Sequence, residues 1–84
     1  MAWGGNVRIG APEGTIEVKA DWLGRYSVLF NGRIVGSGSL FEGAHQIDWT
    51  AYDSNGQVVR YGASLDVGCC IMSRNGEQIY VKGG

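Results

Sequence analysis

Three Asn-Gly pairs constrain the fold of this 84-residue chain more than any other feature. They are Asn31-Gly32, Asn55-Gly56 and Asn75-Gly76, and each lies between stretches rich in Val, Ile, Leu or aromatic residues. Asn and Gly tolerate the positive φ angles of tight turns, so such a pair between apolar segments is a strong β-hairpin signal. The segments that follow the three pairs also read alike, which predicts three hairpins of related form.

A period-two alternation over residues 15–22 predicts a half-buried strand ahead of the first hairpin. Its apolar face holds Ile16, Val18, Ala20 and Trp22, which we therefore expect in the core. A helix that begins at Pro12 would also bring some of these residues together and is the alternative. Further upstream, residues 7–9 form a candidate short edge strand.

The flanking residues predict how the second and third hairpins are paired. In the second, a three-residue loop over residues 54–56 places Trp49 opposite Tyr61 and keeps the apolar side chains on one face. Asp53 suits the first position of the type I turn in such a loop, whose glycine is left-handed. The same reasoning predicts a three-residue loop over residues 74–76. The first hairpin permits a loop of either two or three residues.

The segment between the first two hairpins carries mixed signals. Ser39 and Glu42 fit a helix capping box, and apolar residues follow at helical spacing. The later residues alternate as in a strand. We expect a single helical turn near residues 40–44 followed by a strand, with a full helix to Ala51 as the alternative.

These elements together predict an all-β fold. We expect residues 1–84 to form a single domain in which six or seven strands make an antiparallel meander. To bury one face, the meander must close into a small barrel or fold over as a sandwich. An apolar fraction of 44% with only 18% charged residues argues against intrinsic disorder.

Candidate catalytic and metal-binding residues are few. His45 is the only histidine and, with Glu42 and Asp48, has a spacing that matches no standard metal site. In a strand, His45 and Asp48 would also face opposite sides. We therefore predict no metal, no cofactor and no catalytic residues. A small enzyme whose site at these three residues is shared between subunits is the remaining alternative.

Charge and hydropathy limit the partners and the compartment. Seven Lys and Arg against eight Asp and Glu give a net charge of −1, which lacks the basic excess typical of nucleic-acid binding. No run approaches the roughly 18 apolar residues of a membrane helix. No signal peptide is visible, and the adjacent Cys69 and Cys70 would not bridge each other in a strand. These features predict a cytoplasmic location.

The third hairpin carries an apolar anomaly on its expected outward face. With the predicted register, that face holds Cys70, Met72, Gln78 and Tyr80, of which only Gln78 is clearly polar. A face in contact with water should be more polar. We therefore predict a small non-enzymatic binding or interaction protein that self-associates through residues 69–81.

Aromatic residues support an alternative function. A module that binds a carbohydrate or another small ligand could use Trp3, Tyr26, Tyr52 and Tyr61 as stacking surfaces.

Overall fold

The computed structural model describes residues 6–39, 45–66 and 69–83, which form eight strands and no helix. The strands are β1 (Asn6–Ala11), β2 (Gly14–Ala20), β3 (Arg25–Phe30), β4 (Arg33–Ser39), β5 (His45–Tyr52), β6 (Val58–Asp66), β7 (Cys69–Arg74) and β8 (Glu77–Gly83). They make two antiparallel sheets, ordered β1-β2-β3-β4 and β5-β6-β7-β8. The all-β prediction is confirmed, but the single meander of six or seven strands and the closed barrel are wrong.

The two sheets share one hydrophobic core. Its buried members come from both sheets: Val7, Ile16, Val18, Tyr26, Val28, Trp49, Val59, Tyr61, Ala63, Leu65, Cys70 and Met72. Aromatic rings meet across the interior, with the Phe30 centroid 5.2 Å from that of Tyr61. Alternate residues of each strand point inward, so each sheet supplies one apolar face to this core.

The sheets approach most closely where β4 passes β5. A Cβ atom at Gly36 would lie 2.5 Å from Cγ2 of Ile47, which is too close for any side chain. A glycine is therefore required here for β4 to pack against β5.

Two hairpins, one in each sheet, have the same turn. Asn31 and Gly32 join β3 to β4 with φ angles of 53° and 81°, and Asn75 and Gly76 join β7 to β8 with 51° and 81°. Positive φ at both central residues defines a two-residue type I′ loop. The first hairpin thus adopts the shorter of its two permitted loops, and the three-residue loop predicted for the third is wrong.

Each of these hairpins also carries a bulge in its last strand. In the first, Leu29 faces Ile34 but Val28 faces Gly36, so Val35 is the extra residue. In the β7–β8 hairpin, Ser73 faces Gln78 but Met72 faces Tyr80, which leaves Ile79 as the extra residue.

The turn asparagines extend the hydrogen-bonding ladder beyond the strand ends. Asn31 Oδ1 accepts from the Thr15 N–H at 2.9 Å, while the Asn31 N–H donates to the Thr15 carbonyl at 2.9 Å. Asn75 makes the same pair of bonds to Arg60, at 2.9 and 2.6 Å. Each turn is thereby attached to the strand beyond its own hairpin, β2 in one sheet and β6 in the other.

The three-residue loop predicted for the β5–β6 hairpin is confirmed. Trp49 pairs with Tyr61 as expected. The Asp53 carboxylate accepts two backbone N–H groups at 2.8 and 2.9 Å, and Gly56 has φ of 77°. The β2–β3 turn has the same form, with Asp21 in the place of Asp53.

The inward and outward faces of β7 are the reverse of those predicted. Apolar residues alternate in sequence through Leu65, Val67, Cys69 and Ile71, but β6 ends at Asp66 and β7 begins at Cys69, so this alternation is divided between two strands. Cys70 and Met72 point inward and are fully buried. The expectation that they lie on an outward face is therefore wrong.

Two further expectations about strand and helix positions need correction. β2 ends at Ala20, so Trp22 lies in the following turn, 86% exposed, and is not a core residue. Residues 14–20 and 45–52 are strands, which rules out the alternative helix from Pro12 and the alternative full helix to Ala51. The edge strand expected at residues 7–9 is confirmed within β1, whereas the helical turn near residues 40–44 falls outside the described residues.

In the described part of the chain, no helix could span a membrane.

Candidate functional site

A cleft opens between the sheets where the β3–β4 turn meets β5. It has a volume of about 440 Å³ and is lined by Phe30, Asn31, Arg33, Val35, Trp49, Thr50, Ala51 and Tyr52. We refer to these eight residues as the aromatic cleft. Its volume lies within the range of roughly 300–1,000 Å³ that is usual for small-molecule sites.

The aromatic rings of the cleft belong to a larger cluster. The Trp49 ring centroid lies 5.9 Å from that of Phe30, and Trp49 stacks on Tyr61 at 5.7 Å with an interplanar angle of 6°. Trp49 is 9% exposed, whereas Tyr52, at the end of β5, is 70% exposed. The cleft therefore combines well-packed rings in its wall with one ring at its rim that is free to contact a ligand.

An ion pair between the sheets holds the aromatic cluster in place. Arg74 Nε and Nη2 each donate to one oxygen of the Glu13 carboxylate at 2.8 Å, and the Tyr61 hydroxyl donates to Glu13 Oε1 at 2.5 Å. Glu13 lies in the β1–β2 turn, and its side chain is 7% exposed. Bidentate contact with a guanidinium fixes the carboxylate in one orientation. Because Tyr61 stacks on Trp49, these bonds also restrict the wall of the cleft.

The charges in this cluster are stable at neutral pH. The hydrogen bonds from Arg74 and then Tyr61 lower the pKa of Glu13 from 4.5 to about 2. Burial raises the pKa of Tyr61, and the bond to Glu13 raises the pKa of Arg74. Near pH 7 the carboxylate and guanidinium are therefore charged and the phenol is neutral, an arrangement suited to holding structure rather than to moving protons.

Arg33 is the one charged residue among the eight that line the cleft. Arg33 is exposed and forms no salt bridge within the described residues. The indole N–H of Trp49 is buried and, in the same residues, has no hydrogen-bond partner. None of the eight lining residues is acidic.

The four predicted ligand-binding aromatics do not form one site. Tyr52 lines the cleft, and Tyr61 lies behind it, buried against Trp49. Tyr26 is buried elsewhere in the core, where it packs edge-on against His45 at 5.3 Å. Trp3 lies outside the described residues.

Sequence reasoning missed several residues of the cleft. The sequence places Trp49 on the apolar face of its hairpin, which is buried, but gives no sign of its position at the cleft. Phe30 and Arg33 flank the first Asn-Gly pair, so the sequence could have marked them as neighbours of a turn. Nothing in the sequence shows that this turn packs beside β5.

The predicted interface residues do not make one exposed surface. Cys70 and Met72 are buried, Tyr80 is half-buried against the core and Gln78 is exposed. The outward face of β7–β8 is nevertheless apolar in part, because Ile71 pairs there with Val81, and Val81 is 54% exposed.

The residues weighed as a metal or catalytic group do not converge where they are described. His45 Nε2 lies 2.6 Å from the Ser39 carbonyl oxygen, while Asp48 accepts a hydrogen bond from Gln46 at 2.9 Å. Glu42 lies outside the described residues. Among the residues that are described, no group of three or more His, Cys, Asp or Glu could hold a metal ion.

The geometry of the cleft is the basis for any functional assignment. No family model matches this chain, and neither a curated protein nor a solved structure matches it.

Proposed function

We propose that this protein is a non-enzymatic binding protein that takes a small ligand into the aromatic cleft. The observation that carries the proposal is the convergence of three aromatic rings and an unpaired guanidinium around a space of about 440 Å³. Binding sites typically combine apolar and aromatic walls with a few polar groups that orient the ligand. Flat ligands, such as a heterocycle or one face of a sugar ring, suit these walls.

Support for binding rather than catalysis comes from the titratable groups behind the aromatic wall of the cleft. Glu13, Tyr61 and Arg74 satisfy one another, so none is available as a general acid or base. A cytoplasmic location remains part of the proposal, and it is supported by two free thiols, Cys69 and Cys70.

Titration with 2-naphthol, a flat and neutral probe, tests the proposal. In ¹H–¹⁵N spectra of the whole chain we expect dose-dependent amide shifts concentrated in residues 30–35 and 49–52. Tyr52→Ala removes the exposed ring and should weaken binding about five-fold, the scale of one aromatic contact.

Val58→Ala is the matched control, since Val58 is exposed directly opposite Tyr52 but does not line the cleft. It should leave the titration unchanged. Shifts that avoid the cleft, or that survive Tyr52→Ala undiminished, would count against the proposal.

Self-association is a second candidate, and the outward face of β7–β8 favours it. Ile71 and Val81 form an uncharged cross-strand pair there, and the bulge residue Ile79 is also exposed. The proposed occupant is a second copy of this chain, because a two-fold pair would match each apolar patch with its own equivalent.

A further inference from the structure

We infer that the ligand of the aromatic cleft is a planar organic anion, in which a flat ring carries a carboxylate or a similar acidic group. This inference rests on the proposed function and adds the charge of the ligand to it. It is argued from the cations at the cleft, from the lack of carboxylates in its lining and from its unpaired hydrogen-bond donors.

Arg33 differs from two other arginines in being free of a carboxylate. Arg25 pairs with Asp21 at 3.1 Å and Arg74 pairs with Glu13 at 2.8 Å. Within the described residues, the Arg33 guanidinium has no such partner, although it lines the cleft. A guanidinium presents several donors in a fixed fork that matches a carboxylate.

A second cation lies beside the cleft. Arg60 is the cross-strand partner of Thr50, and with Trp49 it lines an adjoining depression. That depression also contains Asp48, which offsets the charge of Arg60. The lining near Arg33 contains no acidic residue, so the acidic group of the ligand belongs at the Arg33 side.

The hydrogen-bonding groups point to the same chemistry. The Arg33 guanidinium can only donate, whereas the hydroxyls of Thr50 and Tyr52 can donate or accept. The side-chain oxygen of Asn31 is already used, since it accepts from the Thr15 N–H. A ligand rich in acceptors complements such a lining better than one rich in donors, and an ionised acid is the strongest acceptor available.

The test compares 2-naphthoate with 2-naphthol, which share a flat ring and differ in charge at neutral pH. At low salt we expect the anion to bind the wild-type chain about ten-fold more tightly, with amide shifts at Arg33 and Thr50. Arg33→Gln should abolish the preference. Arg8→Gln, on the exposed edge strand β1 and outside the cleft, should leave it intact.

Added salt provides a second measurement on the unmodified chain. Raising the salt concentration should weaken 2-naphthoate and leave 2-naphthol unchanged, because only the former depends on charge. Equal affinity for both probes at the cleft would overturn the inference while leaving the proposed function in place. Failure of both probes to shift the cleft would overturn the two together.

Discussion

Glu13 connects the two sheets through its side chain. It lies in a turn of the first sheet, and its carboxylate accepts hydrogen bonds from Tyr61 and Arg74 of the second sheet. Its carboxylate is almost excluded from water, so removing a partner would leave a poorly compensated charge. Through the stacking of Tyr61 on Trp49, this single residue also influences the shape of the aromatic cleft.

The Glu13 contacts predict a specific loss of stability in acid. Because the pKa of Glu13 falls from 4.5 in the unfolded chain to about 2 in the folded protein, the ionised form stabilises the fold above pH 4.5. This contribution should disappear as the pH falls from 4.5 towards 2. Urea unfolding at pH 7, 4 and 2.5 should show Glu13→Gln less stable than wild type at pH 7, with a gap that narrows in acid.

Glu17→Gln is the control for this experiment, because among the described residues that carboxylate forms a salt bridge only with the exposed Lys19, at 3.9 Å. It should change stability little at any of the three pH values. A gap between wild type and Glu13→Gln that stays constant with pH would contradict the assigned role.

At the scale of elements, the type I′ hairpin is the recurring unit of this protein. The two copies share left-handed Asn and Gly residues, a bulge in the following strand and the bonds from Asn to the next strand. The middle pair, Asn55-Gly56, behaves differently, since only Gly56 is left-handed there. Asp53, two residues before Asn55, caps a longer loop, and Leu29 and Ser73 occupy that position in the other two hairpins.

Substitutions at Asn31 should separate its two contributions. Asn31→Gly tolerates the φ of 53° but loses the bond from the Thr15 N–H, so we expect a loss of about 1 kcal/mol in the free energy of unfolding. Asn31→Ala also forces an alanine into a left-handed conformation, at an additional cost of about 1–2 kcal/mol. Urea unfolding at neutral pH measures both values.

Asn55→Ala supplies the comparison, since Asn55 has no positive φ and makes no ladder-extending bond. Its effect should stay within about 0.5 kcal/mol. If Asn31→Ala and Asn55→Ala destabilise the protein equally, the left-handed asparagine contributes nothing special.

At the scale of the whole molecule, the two sheets are joined by the segment between β4 and β5 and by the core they share. The inward face of each sheet packs against the inward face of the other. The outward faces do not pack against each other. The β5–β8 face carries the apolar cross-strand pair of Ile71 and Val81, and the β1–β4 face carries that of Leu29 and Ile34.

Self-association through the β7–β8 face predicts a concentration-dependent mass. In sedimentation equilibrium at micromolar concentration, wild type should approach twice its monomer mass of 9.0 kDa. Replacing Ile71 and Val81 together by Ser should restore the monomer. Ile34→Ser, on the outward face of the other sheet, should not change the mass, and a wild-type chain that is monomeric throughout would exclude this candidate.

The sequence predicts the local structure of this protein better than its assembly. Asn-Gly pairs and alternation locate the hairpins, and Asp53 correctly selects the three-residue loop. The requirement that apolar side chains share a face selects the wrong loop length at the third hairpin. The bulge at Ile79 keeps the apolar residues aligned across the strands even with a two-residue loop. Alternation also does not reveal which sheet a strand joins, so contacts such as Glu13 with Arg74 are not readable from residue spacing.

The bulges at Val35 and Ile79 have a consequence for how the protein avoids aggregation. β4 and β8 are each the edge of a sheet, and a bulge on an edge strand disrupts the regular ladder that an incoming strand would need. A fibril that extends either sheet has to add strands at both edges of that sheet. One of those two edges carries a bulge. Fibril growth by strand addition is therefore disfavoured at these two edges.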